Sequence, residues 1–230
     1  MIDVTRRAML AALAALAIAL VASVGSSGAE VSSSTCPPPV MPSPASTTPG
    51  TASPGGVAPA PEEVLVCVGA QAITGATYTH WISVASKPLG PAPKKGEHAA
   101  IVALQSEVLG FLISSDWVKG EAEARGISVS PAEVRKTFDR IRHQEFRRRR
   151  EFERFLRKSG QTVADLMFRV ELNLLSERIE KSVVAGHRGA LSKQRALSRF
   201  VKAFKAKWRP QTYCASEYAV ANCGHVQAAV

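Results

Sequence analysis

From Glu97 to Ala185 apolar residues recur every three or four positions, and breaks at three places cut this run into helices. The first helix runs from about His98 to Arg125, with Val102, Val108, Leu109, Leu112, Ile113, Trp117 and Ala124 on its apolar stripe, and Gly126 stops it. Asp116, Glu121 and Glu123 share a surface of this helix that we read as solvated. Ser130 then starts a second helix as N-cap, with Pro131 at its first position and Glu133 placed to reach back as a capping box. It continues to about Gln144 and buries Val134, Phe138 and Ile141. At the run of four arginines, Arg147 to Arg150, the apolar phase slips, so a tight connection or kink is expected there. Phe152, Phe155 and Leu156 form a short helix ending at Gly160. Thr162 caps the next helix with Asp165 as its partner, and Leu166, Val170, Leu174, Ile179 and Val183 form the stripe. After Gly186 and Gly189 comes a basic amphipathic helix, Leu191 to Trp208, carrying Leu197, Phe200, Val201, Phe204 and Trp208.

Upstream the period changes. Val64 to Val68 is a β-branched run ended by Gly69, read as a strand, with Ala72 and Ile73 returning beside it as a small hairpin. Thr74 caps a helix of about three turns that places Tyr78, Trp81, Ile82 and Ala85 on one face. Residues 88–96 hold three prolines and form a loop. The fold class expected is mainly α: a multi-helix domain with a short N-terminal β element, behind a Ser/Pro-rich disordered linker.

The first 62 residues do not read as part of that domain. Arg6 and Arg7 precede an apolar run from Ala8 to Val24, and Ser27-Gly28-Ala29 offers small residues, so we expect a signal peptide over residues 1–29 cleaved after Ala29. A retained anchor and a twin-arginine export route stay open as alternatives. Residues 30–62 are rich in Ser, Pro, Thr and Gly, too poor in apolar surface to offset chain entropy. This leaves a helical domain at 63–209 and a C-terminal tail at 210–230, in an exported protein of the extracytoplasmic space or cell envelope. Export makes disulfides reasonable for the four cysteines. Cys214 and Cys223 are near neighbours and are expected to pair; Cys36 then pairs with Cys67, or Cys67 stays a buried thiol.

Charge adds a partner class. The chain has 29 Lys and Arg against 19 Asp and Glu, a formal charge of +10, which favours anionic surfaces and says little about fold. The densest patch is Arg147, Arg148, Arg149, Arg150 and Arg154. No metal-binding or nucleophile motif occurs in the sequence, and no cofactor is implied. His80, beside Trp81, reads as a partly exposed packing residue.

Taken in order, several segments carry a resemblance. They are Val66-Cys67-Val68-Gly69 with Ile73-Thr74, Phe111-Leu112-Ile113 with Trp117 and Glu121-Ala122, and Gly126-Ile127 with Val129-Ser130 and Glu133-Val134. Phe152 with Phe155-Leu156, Ser159-Gly160-Gln161-Thr162 and Asp165-Leu166 complete the set. Over about residues 64 to 184 the chain resembles the chaperone domain of the SurA/PrsA-like extracytoplasmic foldases, and the ending from Lys207-Trp208 to Cys223 looks like the tail of such proteins. The resemblance implies a helical chaperone domain that holds unfolded or nascent exported clients. It also implies a parvulin prolyl-isomerase domain, for which there is no room between the helices on either side of Gly186, so isomerase activity is not carried over. Client-contacting candidates are then Trp81, Phe111, Trp117, Phe138 and Phe168. The second hypothesis is a basic envelope-associated protein that binds anionic wall polymers or lipid head groups; nucleic acid is not the partner expected, since core packing explains Phe146 and Phe152 more simply than base stacking and an exported protein rarely meets nucleic acid.

Overall fold

The computed structural model describes Cys36, residues 58–87 and residues 98–224. The expected signal, with its cleavage point after Ala29, and nearly all of the linker lie outside them. Within the described residues the chain is mainly helical, with one three-stranded sheet.

β1 (Val64–Val68) and β2 (Gln71–Thr74) form an antiparallel hairpin, turned at Gly69, whose φ of 55° suits a residue without Cβ. Thr74 ends β2 and caps α1 (Gly75–Ser86), its hydroxyl accepting from Thr77 N at 3.4 Å. α2 (His98–Ala124), α3 (Pro131–Glu145), α4 (Arg149–Ser159), α5 (Val163–Val184) and α6 (Ala190–Trp208) follow. β3 (Thr212–Cys214) then pairs antiparallel with the free edge of β1, giving the order β2-β1-β3. β1 is therefore the central strand, which explains its unbroken apolar run: Leu65, Val66, Cys67 and Val68 are all buried.

The segment after Trp208, read from the sequence as a tail, is part of the core. Thr212 and Cys223 are fully buried. The Trp117 indole donates to Thr212 Oγ1 at 2.8 Å, and that hydroxyl donates to Trp208 O at 3.0 Å. Tyr218 meets Tyr78 edge-on at 5.6 Å. A Cys214–Cys223 disulfide closes this segment, and a Cys36–Cys67 disulfide brings Cys36 against β1. Periodicity could not show this docking, because three residues of strand are too few to carry a period.

α2 is long and apolar enough to cross a membrane by length and composition. Its apolarity is accounted for by its position, since Leu109, Leu112, Ile113 and Trp117 are buried between the sheet, α1, α5 and α6.

α5 serves two clusters of buried side chains. Its C-terminal half, with Leu175 and Ile179, completes the main core around α2. Its N-terminal half places Val170 in a smaller cluster with Val134, Phe138 and Phe152 from α3 and α4. The expected single stripe is thereby corrected: Leu172 and Leu175 are buried, while Leu174 is only half-buried. At the start of α5 both halves of the capping box form, Asp165 N to Thr162 Oγ1 at 3.1 Å and Thr162 N to Asp165 Oδ2 at 2.7 Å. At α3 only one half forms. Ser130 Oγ accepts from Glu133 N at 3.2 Å, but the Glu133 carboxylate turns away to Arg178 of α5, at 2.5 and 2.6 Å. A charged guanidinium is a stronger partner for a carboxylate than a backbone amide is: Arg178 Nη2 reaches both Glu133 oxygens, and its Nη1 bonds Ser128 O.

Candidate functional site

The five aromatic candidates fall in three places. Trp117 is a core residue, edge-on to Phe204 at 5.9 Å, and its polar atom is used by Thr212. Phe138 is buried in the smaller cluster at 6.0 Å from Phe152. Neither is placed to meet a client. Trp81, Phe111 and Phe168 do come together, with ring centroids 5.0 to 6.0 Å apart. Trp81 is buried, whereas Phe111 and Phe168 are half-buried. The Arg169 guanidinium covers this triad, 5.0 Å from the Trp81 centroid and 5.3 Å from that of Phe111. Burial pulls the Arg169 pKa down, opposed by Asp165. Arg169 Nε is buried with no hydrogen-bond partner among the described residues.

The smaller cluster is built differently from the main core. Only four side chains in it are buried, Val134, Phe138, Phe152 and Val170, and a larger set of half-buried apolar groups surrounds them, among them Ile141, Phe146, Phe155, Leu156, Leu166 and Met167. Phe146 lies 5.3 Å from Phe152 and 5.2 Å from Phe155. The chain produces this by breaking the helix at Phe146, where the backbone becomes extended (φ −125°, ψ 110°). Arg148 precedes α4 without a side-chain cap bond, and Gly160 ends α4 in the left-handed region at φ 69°. The connection expected at the arginine run is thus a three-residue link, Phe146 to Arg148, extended at both of its ends. α4 is strongly amphipathic: Phe152, Phe155 and Leu156 turn inward, and its arginines turn outward.

Arg147, Arg148, Arg149, Arg150 and Arg154 are all exposed. Arg149 pairs with Glu153 at 2.7 Å, one turn away. Among the described residues the other four have no carboxylate within ion-pair distance, nor do Arg157 and Lys158 at the far end of α4. Elsewhere Arg125, Arg142, Arg178, Lys181 and Lys207 all have acidic partners.

Two polar centres escaped the sequence reading. Glu121, assigned above to a solvated face, is buried at 4 % exposure. It accepts from Arg125 Nε at 2.6 Å, Lys207 Nζ at 2.7 Å and Trp208 Nε1 at 3.0 Å, tying α2 to α6. Burial alone pushes its carboxyl up; the bonds from Lys207, Arg125 and Trp208 outweigh it and hold the pKa below the usual carboxylate range. Its spacing of four from Trp117 and eight from Ile113 was a legible signal, since it continues the buried stripe. Asp116 is half-buried, and burial, opposed by Lys119, pushes its pKa up to about 6. The second centre is His80, whose Nε2 lies 2.8 Å from Asp165 Oδ1 and so links α1 to the cap of α5. Nothing in the spacing of residues 85 apart announces that pair.

Among the described residues no group of His, Cys, Asp or Glu side chains is placed to hold a metal ion. An open hollow lies at the start of α6, lined by Arg188, Leu191, Ser192, Arg195 and Arg199. Compared with models of known families, with curated proteins and with solved structures, the chain matches none of them.

Proposed function

We propose that this chain is an exported, ATP-independent holdase-like chaperone that shields apolar segments of unfolded clients. The observation that supports this reading is the smaller cluster. Four buried side chains make too little of a core to need such a wide margin of half-buried Phe, Leu, Ile and Met. Methionine and ring edges accept varied partners without fixed polar anchors, as a client without fixed structure requires. The exposed arginines of α4 add attraction for acidic segments. In this proposal the client-contacting residues are Phe146, Phe155, Leu156 and Met167, with Phe111 and Phe168 as a further apolar spot. Trp117 and Phe138 serve as support. The resemblance to SurA/PrsA-like foldases points the same way, and the signal peptide expected over residues 1–29 is consistent with activity outside the cytoplasm. The link 185–189 between α5 and α6 leaves no space for a prolyl-isomerase insert, so the proposal is of shielding alone.

The test is light scattering from a thermally unfolding client, with and without the chain from Glu30 onward, at low and moderate salt. Suppression that survives moderate salt and weakens at least threefold in Phe155→Ser and Met167→Ser variants supports apolar shielding. Those variants are melted separately, so that loss of fold is distinguished from loss of binding. Absence of suppression, or suppression unchanged in both variants, removes the proposal. Catalysis of a slow cis-to-trans proline step by the chain would replace it with an enzymatic one.

A further inference from the structure

We infer that the outer face of α4 is a docking stripe for a linear polyanion with repeating phosphodiester groups, of the polyol-phosphate kind. At 3.6 residues per turn Arg150, Arg154, Arg157 and Lys158 fall within an arc of about 100°, opposite Phe152, Phe155 and Leu156. Arg147 in the link before α4 leads into this stripe. Along the helix axis the three arginines span about 10 Å. None of these five cations has a carboxylate partner among the described residues, and Glu153, which flanks the stripe, is taken by Arg149.

The chemistry selects the partner in four steps. Guanidinium groups bind phosphate through paired N–H donors and are weakly hydrated, so an arginine stripe suits phosphodiesters better than a lysine stripe does. The stripe is linear, exposed and without a cavity, which suits successive charges on a chain rather than one discrete phosphate. A bilayer is disfavoured because no exposed large apolar residue lies on α4 to enter it beside the cations. Nucleic acid is disfavoured because the aromatic rings of α4, Phe152 and Phe155, lie on the side opposite the stripe and leave no platform for stacked bases beside the cations. This binding is independent of client shielding, since it uses the opposite face of the same helix.

The experiment is fluorescence anisotropy of the full oxidised chain with labelled poly(glycerol phosphate) across a salt series. Comparators are single-stranded DNA of equal charge, poly-glutamate, and vesicles of equal parts phosphatidylglycerol and phosphatidylcholine. Five phosphate contacts at about −0.7 each predict a log–log salt slope of about −3.5, or about 100-fold weaker binding from 50 to 200 mM salt. The triple variant R150Q/R154Q/R157Q, all at exposed positions, should keep its melting temperature and flatten the slope to about −1.4. The corresponding triple Lys variant should keep the slope and lose affinity, because charge survives without the paired donors. The inference stands if the polyol phosphate binds at least as tightly as the DNA and tenfold tighter than poly-glutamate or the vesicles. It is overturned if DNA, vesicles or poly-glutamate bind more tightly than this, if the triple Gln variant binds like the parent, or if no binding occurs at 50 mM salt. Aggregation suppression is read in a separate assay, so either proposal can fail alone.

Discussion

Gly120 lies in the interior of α2, where glycine costs about 1 kcal/mol relative to alanine. Helix propensity alone therefore says that Gly120→Ala stabilises the protein. The packing says the reverse. A Cβ at Gly120 would lie 2.1, 2.7 and 2.8 Å from three carbons of the Trp208 ring. That ring is buried and cannot swing freely, because its indole N–H is held by Glu121 at 3.0 Å and Glu121 is held in turn by Lys207 and Arg125. Overpacking of this kind costs about 1–3 kcal/mol, and loss of a hydrogen bond to a charged group about 1.5–3 kcal/mol more. Less the propensity gain, we expect Gly120→Ala to destabilise by about 2–4 kcal/mol, a fall in Tm of about 10 °C for a domain of this size. Denaturant melts followed by tryptophan fluorescence measure it. Trp208→Leu in the same background should relieve the clash, so the double variant should be more stable than the sum of the two single losses by about 1 kcal/mol or more. A Gly120→Ala variant that melts higher than the parent would refute the close approach of α2 and α6 from which the argument starts.

The Glu121→Gln substitution should cost about 2–4 kcal/mol at pH 7, because two cations and an indole lose their shared anion. The carboxyl pKa is lowered on folding, so its contribution is present above about pH 4.3 and lost as pH falls through the folded value. The variant's deficit should accordingly shrink in acid, which a pH series of urea melts would show; a constant deficit counts against the charge. Asp116 has the opposite sign. With its pKa raised to about 6, the charged form penalises the fold at neutral pH, and the penalty fades as pH falls from about 6 towards the ordinary carboxylate value. Asp116→Asn should raise the stability at pH 7 by about 1–2 kcal/mol and leave it unchanged at pH 4; a loss at pH 7 would show that the attraction to Lys119 outweighs burial. Replacing Cys214 and Cys223 by Ser opens a short loop worth about 3 kcal/mol of chain entropy. Amide exchange of Gly69, whose N–H donates to Gln211 O just before β3, should then speed up relative to the amides of the β1–β2 ladder; unchanged exchange would mean that β3 holds without its disulfide.

Much of the fold was open to reading from local rules. The helix boundaries came from caps, glycines and prolines, each acting over four residues: Thr74, Thr162 with Asp165, and Gly160 all do in space what their sequence context says. The break at the arginine run was legible for the same reason, since the apolar phase slips where the helix stops. The outward face of α4 was legible too, because arginines opposite a Phe-Phe-Leu face have only solvent to turn to.

Tertiary structure decided what depends on distant partners. Glu133 satisfied a capping pattern, and Arg178, forty-five residues away, took its carboxylate instead. Glu121 and Trp117 sit one turn apart on α2, and both are buried because α6 and the last strand close over them. Of the aromatics, it took the packed chain to separate Trp117 and Phe138, which are core, from Phe146 and Phe155, which stay half-buried around a small cluster. The physical reason is common to all of these. Capping and amphipathicity are set by neighbours within a turn or two, whereas burial of a given face is set by whichever element arrives from far along the chain to cover it.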